Sequence, residues 1–256
     1  MATAPDGAMP LVEHLRELRK RLVLSVLVIV VGFVPAWMYY ADIFAFLKRP
    51  LDSVLSDTVK LQVSNITDPF TLQIQVSLVA ALVATSPVWL FNIWRFVTPG
   101  LHRHERRWAY FFIFTSTPLA FLGAATAYWS LPVSLQLLIG FTPEDVTNLI
   151  AVDKYFEFVF RMILVFAVGF LSPLFFVLMN FADLLSARTI RGWWRIVTMV
   201  VLLFAAIATP TGDPLTMTLV ATPILALMVL AWAIAAVNDW RRRRSADSDE
   251  NLDLTA

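Results

Sequence analysis

Six stretches of almost uninterrupted apolar residues, at about 22–40, 70–91, 108–131, 158–181, 196–208 and 215–237, constrain the fold of this chain more than any other feature. A helix crossing hydrocarbon needs roughly 17–25 such residues, because each adds about 1.5 Å of rise across about 30 Å. The first four runs and the last reach that length. The fifth has 13 residues and is too short to cross upright. Either the bilayer thins around it, or it forms a partly inserted hairpin with the sixth. Both options return the chain to the same side. Composition agrees: 59% of the 256 residues are hydrophobic and 15% are charged, against roughly 45–50% and 25% in soluble domains. The reading is an all-α integral membrane protein, a single polytopic domain over residues 1–240 with six transmembrane helices. The last two helices are expected to be short and the bundle concave.

Charge assigns the sides. Of the 20 lysines and arginines, 15 fall in alternate connections: Arg16, Arg19, Lys20 and Arg21; Arg95, Arg103, Arg106 and Arg107; Arg188, Arg191 and Arg195; and Arg241 to Arg244. The positive-inside bias therefore places both termini in the cytoplasm. The opposite loops, about 41–69 and 132–157, hold Asp42, Asp52, Asp57, Asp68, Glu144, Asp145, Asp153 and Glu157. A net charge of +1 gives no basic field for nucleic acid, and the absence of cysteine excludes disulfides and thiol chemistry. The first run lacks a small-residue cleavage site after it and is expected to be retained as a span.

Residues 1–9 read as a flexible leader and 10–21 as a short amphipathic helix, with Pro10 at its first position and Leu11, Leu15, Leu18 and Leu22 along one face. Pro87, Pro118, Pro173 and Pro223 are expected to bend their helices. Trp37, Tyr39, Tyr40, Trp89, Trp94, Trp193, Trp194 and Trp240 lie at span ends and read as headgroup anchors. Asp213, after a Thr-Pro-Thr-Gly turn, is placed to cap the last helix. Residues 241–244 form a basic stop, and 245–256 are expected to be a disordered acidic tail.

No catalytic set emerges, and nothing calls for a cofactor or metal. His14, His102 and His104 belong to no ligand pattern, and the chain has neither a glycine-rich phosphate loop nor a nucleophile elbow. The polar residues that draw attention are Glu17 and Glu105. Local pairing accounts for both: Glu17 reaches Arg21 at i+4, and Glu105 lies among Arg103, Arg106 and Arg107. The sharper reading is a pair of carboxylates at one membrane interface that accepts guanidinium groups. A carboxylate takes arginine through two parallel hydrogen bonds, a geometry lysine does not reproduce.

Residues 10–22, PLVEHLRELRKRL, resemble the N-terminal HLxELRxR motif of the TatC family, the polytopic receptor of the twin-arginine protein translocase. Residues 86–107, SPVWLFNIWRFVTPGLHRHERR, resemble its first cytoplasmic loop. Residues 209–213 and Pro50 resemble its threonine-proline turn and a proline of its first outward loop. The resemblance implies a signal-peptide site at Glu17, Arg19, Phe96 and Glu105, supported by Pro50 and Asp213. It also implies single-span partners TatA and TatB in an oligomeric complex, twin-arginine signal peptides on folded cargo, the proton gradient as driving force, and the inner (plasma) membrane as location. Three positions at lipid depth depart from the family: Leu171 and Val229 stand where glutamates are common, and Met217 where a polar residue is. A buried carboxylate in lipid costs a few kcal/mol and is usually functional, so partner docking is where this sequence differs. A subtype, a paralogue with altered partner docking and an altered sequence all fit. The competing class is a small-solute secondary transporter, which usually carries an ionisable residue at the midplane. Here the runs contain almost none, and Arg161 sits near an end.

Overall fold

The computed structural model describes residues 11–54, 59–97, 106–143, 147–181, 184–209 and 213–253. The leader, Pro10, the stretch 98–105 with Glu105, and turn residues 210–212 lie outside them. Two compact units meet within one helix, Met1–Ala167 and Val168–Ala256.

In the first unit, α1 (Leu11–Met38) is one helix of 28 residues, where the sequence predicts a short amphipathic helix and a separate span. The reason is local: residues 11–31 contain neither proline nor glycine, so nothing interrupts propagation once a turn has formed. Many of its apolar side chains, including Leu27, Val30 and Val31, are exposed. Hydrocarbon surroundings remove the cost that water would impose on them.

The second apolar run is not one straight helix. It divides into α3 (Asp68–Ala84) and α4 (Ser86–Val97), bent by 59°. Pro87 has no N–H to give the carbonyl of Val83. The Thr85 hydroxyl donates back to the Ala81 carbonyl at 2.7 Å, and the Trp89 indole Nε1 donates to the Leu82 carbonyl at 2.9 Å. The Trp89 indole therefore staples the bend.

The outward segments are more ordered than loops. α2 (Tyr40–Asp52) and the strand β1 (Val59–Gln62) follow α1. α5 (Arg106–Ile139) precedes the strand β2 (Asn148–Ala151) and α6 (Val152–Phe181). The strands pair in parallel, from Val59 opposite Asn148 to Gln62 opposite Ala151. Pro50 lies buried inside α2. Lacking an N–H, it frees the Phe46 carbonyl, which the Tyr128 hydroxyl meets at 2.9 Å. Tyr155 donates likewise to the Leu47 carbonyl at 2.7 Å. Rings stack beside these bonds, Phe46 on Tyr128 and Phe44 on Phe156, so α2 is fixed to α5 and α6 by both its polar and its apolar surfaces. At Gly123, α5 comes close to the backbone of α6 at Phe166.

The second unit contains the end of α6, then α7 (Ala187–Gly192), α8 (Trp194–Ala208) and α9 (Pro214–Asp253). α8 has 15 residues, a length of about 22 Å, so it remains shorter than about 30 Å of hydrocarbon. Asp213 accepts the Thr216 N–H at 2.7 Å and caps α9, with Pro214 at its first position. Ala187, Ile190 and Ala235 form an apolar cluster with Trp232 and Phe176. Beside it, Asn180 donates to Asp239 at 2.8 Å, and Asp239 accepts the Ala187 N–H at 2.7 Å. Arg242 closes this polar knot on the Phe181 carbonyl.

α5, α6 and α9 continue through Pro118, Pro173 and Pro223 without interruption; the break in a span falls beside Pro87. The tail continues as helix to Asp253 where disorder is predicted. Extending an existing helix fixes one residue per hydrogen bond and needs no new nucleus. Among the described residues, four helices are long and apolar enough to cross a membrane, and the bent α3–α4 pair makes a fifth. The remaining apolar segment is the short α8.

Candidate signal-binding site

The basic end of α1 packs against α4, and a chain of polar contacts joins them. Glu17 and Arg21, one turn apart on α1, form an ion pair through Glu17 Oε1 and Arg21 Nη2. Their side chains are only 27% and 13% exposed, so this is not the solvated surface pair that local pairing predicts. Arg21 Nη1 makes a long contact of 3.5 Å to the Asn92 carbonyl on α4. The Asn92 amide returns to α1, donating to the Ser25 hydroxyl at 3.2 Å. Asn92 is itself buried. The other oxygen of Glu17, Oε2, is shielded from solvent and has no hydrogen-bond partner among the described residues. A buried carboxylate oxygen without a donor carries a desolvation cost, which a donor brought from outside would remove.

Of the residues expected at this site, Glu17 is half-buried, Arg19 is exposed on α1 and Phe96 is half-buried near the end of α4. Phe96 lies one turn beyond Asn92, so the two share a helix face. Glu105 lies outside the described residues. Pro50 and Asp213 occur in α2 and before α9, each with the backbone role given above. Sequence reasoning missed Asn92 and Ser25. The usable signal was polarity at the edge of an apolar run, because such side chains turn towards other helices rather than lipid.

The three departing positions all lie in the second unit. Leu171 is half-buried in α6 and Val229 is exposed on α9. Met217 lines an open apolar groove along α8 with Trp194, Thr198, Leu202 and Ala206.

Long apolar helices, arginine-rich connections and a half-buried carboxylate at a basic helix end define a multi-pass α-helical membrane protein. The family model described as "Sec-independent protein translocase protein (TatC)" matches residues 13–223, and the chain belongs to that family. It is a subunit of the Sec-independent, twin-arginine translocase. A TatC protein of Frankia casuarinae is 36% identical over 263 residues, covering 98% of this chain and 72% of its own length. One of Xylanimonas cellulosilytica is 39% identical over 239 residues, covering 92% and 87%. A crystal structure of the twin-arginine translocase receptor TatC, in the detergent DDM, superposes with a TM-score of 0.77 at 30% identity, covering 87% of this chain and 99% of that one. Membership removes the solute-transporter alternative.

Proposed function

We propose that this subunit receives twin-arginine signal peptides at the basic end of α1 and α4. Glu17 is the acceptor for one arginine and Glu105 for the other, while Arg19 and Phe96 shape the site. The observation that carries this reading is the Glu17 carboxylate: it is half-buried, held by Arg21, and one oxygen lacks a donor. A guanidinium is planar, delocalised and weakly hydrated, so it reaches a half-buried oxygen at a smaller desolvation cost than a compact ammonium. The match between this site and a doubly charged peptide is therefore one of hydration as well as sign. The signal's apolar segment then lies along the bundle, and the subunit docks TatA and TatB for proton-gradient-driven export of folded cargo across the inner membrane.

Docking in this chain relies more on packing than on hydrogen bonds. Leu171, Met217 and Val229 present no polar group to a partner helix, and the α8 groove at Met217 is apolar. In hydrocarbon, association of such surfaces depends on close van der Waals fit.

Binding of a labelled peptide bearing an adjacent arginine pair before an apolar segment tests the site. The full chain in detergent is expected to lose most capture in the double variant Glu17→Gln/Glu105→Gln. A peptide with two lysines should bind the wild type weakly. Undiminished capture by the double variant refutes the assignment.

A further inference from the structure

We propose that Arg21 is a positioning residue for the signal site, fixing Glu17 so that Oε2 alone is presented to the incoming arginine. The proposal rests on the reading of Glu17 as an arginine acceptor. It adds a residue and a division of labour that the reading lacks.

Three observations converge. Arg21 occupies Oε1, so an incoming donor is directed to the remaining oxygen. Oε2 is buried and unpartnered among the described residues, so a ligand donor there relieves an existing cost as well as making a bond. Arg21 also reaches the Asn92 carbonyl, and the Asn92 amide reaches Ser25, so the guanidinium bridges two helices. Its planar fork suits that bridge: one nitrogen points to the carboxylate and another to the carbonyl. Without the bridge, Glu17 is an ordinary flexible side chain near the surface, open to any cation. With it, the carboxylate lies between two guanidiniums, one belonging to the protein and one to the ligand. This arrangement favours a flat, weakly hydrated cation over an ammonium, because a compact, strongly hydrated charge gives up more hydration to reach the one shielded oxygen beside Arg21. Arg21 therefore contributes to the preference for arginine without touching the peptide.

The test measures affinity and binding-competent fraction for arginine-pair and lysine-pair peptides, using the full chain in detergent. Arg21→Gln is expected to weaken the arginine-pair peptide roughly tenfold or more, to change the lysine-pair peptide little, and so to narrow the preference. The competent fraction at saturation should stay the same. Arg21→Lys should recover part of the affinity, since a lysine reaches Oε1 but spans less well to Asn92. Unchanged affinity in Arg21→Gln overturns the proposal. So does tighter binding, which would make Arg21 an occupant of the ligand's own place. A fall in competent fraction with unchanged affinity and unchanged preference also overturns it, since that is the signature of a purely structural role. Glu17→Gln separates the two levels. If it binds the peptide as wild type does, the receptor reading itself fails. If it loses binding while Arg21→Gln keeps both affinity and preference, only the positioning role fails.

Discussion

Replacing Gly123 with alanine tests how closely α5 and α6 pack. A Cβ built on Gly123 lies 2.6 Å from the Phe166 carbonyl oxygen, 2.9 Å from its carbonyl carbon and 3.0 Å from the Ala167 Cα. All three are backbone atoms, so no rotamer change clears the space. Reaching an ordinary contact of 3.4 Å from 2.6 Å requires the helices to part by about 0.8 Å there. Overpacking of this kind costs typically 1–3 kcal/mol, and a clash with backbone belongs towards the upper end. Alanine's higher helix propensity offsets about 1 kcal/mol, leaving a net loss of about 1–2 kcal/mol, or roughly a 5- to 30-fold shift in the folded ratio. Two glycines in the second unit serve as controls. At Gly169 the nearest atom is the flexible Ile224 Cδ1, and at Gly192 nothing lies within 4 Å. Denaturation in mixed detergent micelles, followed by tryptophan fluorescence, should rank Gly123→Ala as the least stable variant, Gly169→Ala as milder and Gly192→Ala as neutral or better. A Gly123→Ala protein as stable as Gly192→Ala would refute this account of the α5–α6 contact.

Two other substitutions test hydrogen bonds that replace missing helical ones. Trp89→Phe keeps the ring but leaves the Leu82 carbonyl without its indole donor, and should cost about 1–3 kcal/mol in the same unfolding assay; no loss would mean that the indole does not staple the bend. Asp239→Ala removes the acceptor for both the Ala187 N–H and the Asn180 amide. It should cost about 1.5–3 kcal/mol and speed amide exchange at Ala187, whereas unchanged exchange would mean that α7 is held by its apolar cluster alone.

Apolar run length carried most of the architecture. It located all six hydrophobic segments and showed that the segment at 196–208 is short, because hydrocarbon thickness leaves little freedom in helix length. The bend at Thr85 was harder to read. Pro87 gave a reason for distortion, but proline also sits inside α5, α6 and α9 without ending them. What distinguishes Pro87 is a side-chain answer, the Trp89 indole on the Leu82 carbonyl. Pro50 offers the same lesson, since its role becomes visible only with Tyr128, which lies far along the chain. The site was half legible. Motif spacing pointed to Glu17, and the i+4 rule to its pairing with Arg21. Asn92 and Ser25 escaped because their partnership crosses from one helix to another, and single-sequence periodicity reports faces rather than neighbours.

The short parallel ladder on the outward side has a consequence for biogenesis. Val59 pairs with Asn148, so the first partner leaves the ribosome long before the second, with α3, α4 and α5 made in between. Until that later stretch arrives, β1 carries an open edge, the kind of surface that recruits foreign strands. Closure of the ladder thus marks a chain in which α1 to α5 have all been made. A nascent chain stalled before Asn148 keeps the β1 edge without its partner strand.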